Sequence, residues 1–126
     1  MKKVNVGLDQ VREIYFPVKA VVELERRFNK PIFKLLSTDF ISFELICSVL
    51  TIGLKHGGMK LKGKSVEEQE EYVQDLIQEH WLEEGKRFES LVETTFSALE
   101  AAGLTGKKDE EEDESNPDED TDDAQK

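Results

Sequence analysis

The stretch from residue 40 to residue 55, FISFELICSVLTIGLK, decides the fold. Its pattern predicts a helix that is apolar nearly all round, because only Glu44 and Lys55 are charged. A helix without a polar face lies at the centre of a core, or also faces a partner. We therefore expect this helix to be the element around which the others pack, capped by Ser37-Thr38-Asp39 and ended by Gly57-Gly58.

An amphipathic helix is predicted before it, over residues 17–28. Pro17 suits the first helical position because its missing N–H is no loss there. Residues 29–31, Asn-Lys-Pro, end the helix, and residues 32–36 predict one further helical turn. The apolar positions recur at spacings of three and four, as a core-facing helix requires: Val18, Val21, Leu24 and Phe28.

Two more helices are predicted after the central one. Residues 66–84 follow a capping box, in which the Ser65 hydroxyl accepts from the N–H of Glu68 and the Glu68 carboxylate reaches back. Residues 88–102 carry a second apolar stripe, and Gly103 is a natural stop. The first stripe consists of Val66, Val73, Leu76, Ile77, His80 and Trp81.

At the N-terminal side, residues 4–16 alternate loosely between apolar and polar, which predicts a short β-hairpin that turns near Gly7 and Asp9-Gln10. A two-stranded hairpin is marginal alone in water, so we expect it to lie on the helices. The predicted fold class is mainly α: a small helical domain over residues 1–105, with an N-terminal β-hairpin and a disordered acidic tail over residues 106–126.

The tail prediction rests on charge and on the lack of apolar side chains. Residues 107–126 contain eleven acidic residues against three lysines, a net charge of −8, out of −11 for the whole chain of 126 residues. The segment contains no aromatic residue and no aliphatic residue larger than Ala124. Such a segment buries too little surface to offset its ordering entropy. It has no glycine-pivoted ligand loop, so it is no EF-hand, and a solubilising role is the favoured interpretation.

Composition argues against several classes of protein. An acidic chain whose most basic stretch, residues 55–64, has only four lysines and one histidine lacks the basic face that nucleic-acid binding needs. The most apolar window is about fifteen residues, against roughly 20 for a membrane span. One cysteine allows no internal disulfide, and the start of the chain lacks the apolar region of a signal peptide. A soluble cytoplasmic protein is expected.

The residues offer little for catalysis or cofactors, so we predict neither enzymatic activity nor a bound cofactor. Cys47 with His56 or His80 is the possible thiol–imidazole pair, but a cysteine in so apolar a helix is expected to be a buried, inert thiol. His80 and Glu84 are one helical turn apart and are two candidate metal ligands, whereas a zinc site needs three or four. A small enzyme using His80 and the neighbouring carboxylates stays a third-ranked alternative.

Four residues of the last two helices are candidates for partner binding: Tyr72, Leu76, Trp81 and Phe88. Three of them are aromatic, and aromatic side chains are frequent in interface hot spots. The competing interpretation is that they close the core between these helices. The two interpretations are equal for Trp81, and the core is favoured for Phe88. A homo-oligomer is also left open.

The order of features resembles a known family. The segment VREIYF (11–16) leads to VELERRF (22–28), and an Ile- and Leu-rich helix ends in GLKHG (53–57). SVEE (65–68) then opens two amphipathic helices, the last of which ends in FSALEAAG (96–103) before a charged tail. Over residues 4–103 this order is similar to that of the tail assembly chaperones of long-tailed phages and prophages, and of related small proteins of gene transfer agents.

The resemblance implies a function in the cytoplasm of the infected bacterium. Such chaperones coat the long helical tape-measure protein, keep it soluble, recruit tail-tube subunits and are absent from the finished virion. Many of their genes also produce a longer protein by ribosomal frameshifting, for which Gly106-Lys107-Lys108 is the candidate site here. The family has no catalytic residues to transfer. A generic acidic helical adaptor or regulator, binding a basic or helical partner, is the alternative.

Overall fold

The computed structural model describes residues 3–37 and 41–104. It is mainly helical with a short antiparallel hairpin at the N-terminal side, which confirms the predicted fold class. The predicted tail, residues 106–126, lies outside the described residues. The elements are β1 (Val4–Gly7), β2 (Val11–Ile14), α1 (Val18–Phe28), α2 (Ile32–Leu36), α3 (Phe43–His56), α4 (Val66–Ile77), a π-helical turn (Gln78–Leu82) and α5 (Phe88–Ala101).

Helix α3 is the centre of the core, as its sequence predicts. Every residue from 45 to 54 is buried. The predicted start and cap of this helix were wrong. The helix begins at Phe43 instead of residue 40, because Ser42 takes an extended conformation and its side-chain oxygen accepts a 3.0 Å hydrogen bond from the N–H of Leu45. Ser37 instead caps the end of α2, and residues 38–40 lie outside the described residues.

The hairpin lies on the helices, β2 against α3 and β1 against α5. Val4 pairs with Ile14 and Gly7 pairs with Val11. Gly53 in α3 and Gly57 directly after it permit the close approach. A Cβ at Gly53 would collide with the Ile14 side chain, and one at Gly57 would overlap the carbonyl group of Glu13. The hairpin is thereby held against the end of the core helix.

Helices α1 and α4 both pack against α3. Pro17 is the residue before α1, which begins at Val18, and Asn29 ends the helix in a left-handed conformation with φ 54°. Ser65 caps α4 as predicted, accepting from the N–H of Glu68 at 3.1 Å. The Glu68 carboxylate reaches back to the N–H of Lys64 at 2.7 Å, one residue earlier than in the standard capping box.

The predicted helix over residues 66–84 is interrupted in its last turns. After Ile77 the backbone widens into the π-helical turn, in which Trp81 is buried and its indole N–H donates to the carbonyl of Arg87 at 2.8 Å. This bond ties the π-helical turn to the start of α5. Helix α5 ends at Ala101, close to the predicted stop at Gly103. Within residues 3–37 and 41–104, no helix is both long and apolar enough to cross a membrane.

Candidate partner-binding surfaces

The four predicted partner-binding residues divide into two pairs. Leu76 and Trp81 are buried, with 6% and 7% of their surface exposed, so they belong to the core in this conformation. Tyr72 and Phe88 are half-buried and pack against that core. The four side chains therefore form no single exposed patch, and their binding to a partner stays a prediction.

Phe88 instead forms an aromatic pair at the surface with Phe43, the first residue of α3. The ring centroids are 5.1 Å apart and the planes are tilted by 30°. Phe43 is 40% exposed, so the pair presents apolar surface where the N-terminal ends of α3 and α5 meet. The sequence does not single out Phe43, because it is one of many apolar residues in the central helix.

A groove of about 270 Å³ lies between α1 and α4, over the later part of α3. Its floor is formed by the nearly buried Thr51 and Ile52 of α3. Val66, the first residue of α4, is 51% exposed at one edge. The groove combines an apolar floor with a charged rim, a composition that suits the apolar face of an amphipathic helix.

A charge network connects α1 to α4 along one side of the groove. Glu70 of α4 is only 6% exposed, and its two oxygens each accept a 3.1 Å hydrogen bond from the Arg27 guanidinium. Ser48 of α3 donates to the same carboxylate at 2.7 Å. The hydrogen bond to Glu70 raises the pKa of Arg27, so the guanidinium stays charged at neutral pH.

A second charge cluster lies on the α1–α3 side. The Glu23 carboxylate is 3.0 Å from Lys55 Nζ and 2.8 Å from His56 Nε2. Burial pushes the pKa of Glu23 upward, but the hydrogen bonds from His56 and Lys55 outweigh burial and hold it below its usual value. The cluster joins the end of α3 to the middle of α1.

The sequence analysis did not single out Glu70 as a buried group. A signal was present. Glu70 lies four residues after Val66 and three before Val73, both on the apolar stripe. A charged residue at a core-facing position needs a buried partner, and Arg27, three residues after the buried Leu24, supplies it.

Cys47, His56 and His80 each interact with different partners. Cys47 is buried, and burial raises the pKa of its thiol to about 11, so it is a protonated thiol at neutral pH. His56 is bound to Glu23, and His80 lies 3.8 Å from Glu84 and 3.9 Å from Glu79. Among residues 3–37 and 41–104, no three or more histidine, cysteine or acidic residues are grouped in a way that would hold a metal ion.

No protein-family model, no curated protein and no solved structure matches this chain. The geometry of the described residues offers two surfaces for binding: the α1–α4 groove, with its apolar floor and charged rim, and the Phe43–Phe88 pair.

Proposed function

We propose that this protein is a tail assembly chaperone of a long-tailed phage, prophage or gene transfer agent. It binds helical segments of a tape-measure protein in the host bacterial cytoplasm, keeps them soluble and helps to recruit tail-tube subunits. The observation that carries the proposal is the order of features over residues 4–103, from the hairpin through GLKHG at 53–57 to FSALEAAG at 96–103.

The arrangement of the helices supports this proposal. Helix α3 is covered by α1, α4 and α5 but is left partly open at the α1–α4 groove. An amphipathic helix binds such a groove by burying its apolar face, and its polar face then meets the charged rim. Large apolar side chains are also exposed outside the core: Val11, Val18, Phe33, Phe43 and Val66.

Co-expression with the tape-measure protein tests the proposal. The gene for that partner is identified as a very long helix-coding gene in the same neighbourhood, next to a tail-tube gene. The fraction of the tape-measure protein that stays soluble is measured with and without this chain. If the tape-measure protein precipitates equally in both cases, the chaperone function is wrong.

A matched pair of valine variants locates the binding surface. Val66→Glu places a charge at the edge of the α1–α4 groove, and Val11→Glu places one on the hairpin. Both valines are more than half exposed, so both variants are expected to fold. We expect Val66→Glu to lower the soluble fraction of the partner and Val11→Glu to leave it unchanged, because only the first disturbs the apolar groove.

A generic acidic adaptor is the alternative function, and the −8 charge of residues 107–126 favours it. An adaptor of this kind binds a basic target through the acidic segment, so its binding weakens steeply with salt. A chaperone that binds through an apolar groove keeps its affinity in salt and shows a negative heat-capacity change on binding. Calorimetry of the co-expressed pair at two salt concentrations separates the two functions.

A further inference from the structure

A basic surface covers the junction of α1 and α2 in this acidic protein. Residues 18–36 contain five cations and two acids, a net charge of +3, whereas the whole chain has −11. Lys19 and three further cations are exposed and have no acidic side chain within ion-pair distance among the described residues, and the three lie at the α1–α2 junction. These three are Arg26, Lys30 and Lys34, called here the α1–α2 basic surface.

The basic surface is concave. Arg26 and Lys30 line a depression of about 410 Å³ together with Val22, Asn29 and Pro31. Glu25 also lines it, but one of its oxygens already accepts the N–H of Ile32 at 2.8 Å. Arg26 and Lys30 therefore keep most of their capacity to bind an external carboxylate.

The other lysine-rich segment is less suited to an acidic ligand. Lys60, Lys62 and Lys64 lie in the loop before α4, but residues 67–71 place four glutamates directly after them. Residues 58–71 thus have a net charge of −1, against +3 for residues 18–36. Charge complementarity favours the α1–α2 junction over this loop for an acidic segment.

We propose that the acidic segment of residues 107–126 binds the α1–α2 basic surface of its own chain. The segment matches the surface in charge, with eleven acids against three lysines. It lacks large apolar side chains, so it does not suit the apolar α1–α4 groove but does suit an exposed, charged depression. The proposal does not rest on the proposed chaperone function, and Arg26 lines both this depression and the α1–α4 groove.

Chain length permits this contact. A segment of about 20 residues spans at most roughly 70 Å when fully extended, and a domain of about 100 residues has a radius of gyration of only about 13 Å. The segment therefore reaches the α1–α2 surface from Leu104, wherever that residue lies on the domain. Tethering raises the local concentration of the acids to the millimolar range, which compensates for the weakness of each exposed ion pair.

Because the contacts are exposed and ionic, they are expected to be present at low salt and lost near 1 M salt, where the Debye length is about 3 Å.

A spin label on the segment tests the proposal in the full chain. Ser115→Cys introduces a reactive thiol in the segment, and the native Cys47 stays unlabelled because it is buried and protonated. The nitroxide-labelled protein is compared with its reduced form in amide NMR spectra. We expect loss of amide intensity over residues 22–34 at low salt, and recovery of that intensity in 1 M salt.

Two matched triple variants of the labelled chain locate the surface. Arg26→Gln, Lys30→Gln and Lys34→Gln together should abolish the intensity loss over residues 22–34. The same charge change in the other loop, Lys60→Gln, Lys62→Gln and Lys64→Gln, should leave it in place. An intensity loss centred on residues 58–64, an equal effect of both triple variants, or no intensity loss at low salt would overturn the proposal.

A mixture of labelled protein without isotope and unlabelled protein with ¹⁵N separates contacts within one chain from contacts between two chains. We expect no loss of intensity in the ¹⁵N-labelled copy. A loss over residues 22–34 in that copy would place the segment on a second molecule and contradict the intramolecular contact.

Discussion

Arg27 of α1 and Glu70 of α4 form a two-bond ion pair across α3, with both nitrogen–oxygen distances at 3.1 Å. Ser48 of α3 donates to the same carboxylate at 2.7 Å, so three helices meet at one buried group. Two helices that have few direct contacts are thus held at a fixed spacing, and the α1–α4 groove lies beside this link.

Removal of the arginine should destabilise the protein strongly. Arg27→Ala leaves the Glu70 carboxylate buried without its partner, and such a break costs about 3 kcal/mol when, as here, the arginine side chain is 29% exposed. The measurement is urea unfolding at neutral pH. The neighbouring Arg26→Ala is the control, because Arg26 is exposed and should change stability by less than about 0.5 kcal/mol.

A double variant separates the ion pair from simple packing. Arg27→Met with Glu70→Leu leaves no buried charge, so it should recover part of the lost stability. Equal unfolding midpoints for Arg27→Ala and Arg26→Ala would show that the link contributes nothing to the fold.

The centre of the core should not tolerate a charge. Ile46 is 1% exposed in α3, and Ile46→Asp would bury a carboxylate without a partner, which costs several kcal/mol. We expect this variant to be insoluble or unfolded on expression, whereas Val11→Asp, on the exposed side of the hairpin, should fold normally. A soluble Ile46→Asp variant with the wild-type circular dichroism spectrum would contradict the position of α3.

Acid should weaken the contact between α1 and the end of α3. The pKa of Glu23 lies below its usual value of 4.5 in the folded protein. A carboxylate with a lowered pKa stabilises the fold above its unfolded pKa, and this contribution is lost as pH falls through the folded pKa. Glu23→Gln should therefore reduce stability at pH 6 but not near pH 3.

The measurement for Glu23 is the free energy of unfolding against pH for wild type and variant. The exposed Glu93→Gln is the control, since Glu93 has no ion pair among the described residues. A difference between wild type and Glu23→Gln that stays constant from pH 6 to pH 3 would show that the ionised carboxylate is not the cause.

Periodicity was sufficient to predict most of the fold. An apolar run without a polar face placed α3 at the centre, and the spacing of apolar residues located α1, α4 and α5. The start of α3 was mispredicted because Ile41 is apolar and continues the pattern, whereas the helix boundary depends on one hydrogen bond from Leu45 to Ser42. The π-helical turn has no periodic signal, since it depends on the fit of Trp81 at the start of α5.

The candidate binding surfaces were harder to predict from the sequence. Apolar and aromatic character indicated Leu76 and Trp81, but the same character draws these side chains into the core, and both are buried. The α1–α4 groove depends on how far apart two helices lie on a third, which is a property of packing that no local pattern contains. Glu70 is the exception, because a charged residue on an apolar stripe indicates a buried ion pair.

The acidic segment should be dispensable for folding. Residues 107–126 carry no large aliphatic or aromatic side chain, and an exposed ion pair contributes about 0–1 kcal/mol, less when salt screens it. Deletion of these residues should therefore shift the melting temperature by less than the roughly 4–8 °C that 1 kcal/mol produces in a domain of this size. Thermal melts at 0.15 M salt give the comparison, and a larger loss would show that the segment packs on the core.

The proposed function suggests a programmed frameshift, and the nucleotide sequence of codons 106–108 is the place to look for it. Gly106-Lys107-Lys108 permits a nucleotide run of the form A-AAA-AAG, on which tRNAs re-pair after slipping by one base. These residues lie outside the described part of the chain, between Leu104 and the acidic run, where a new extension would leave the helices intact. A plain charged linker is the slightly favoured interpretation of two lysines before an acidic run. If a longer product exists, it carries the same helical domain with a different C-terminal region, so one form can hold the tape-measure protein while the other also binds the tail tube.

Expression of the natural gene followed by mass spectrometry of the products tests whether the longer product exists. Absence of a slippery heptamer at these codons, together with an early stop in the −1 frame, would mean that no long form arises at this site.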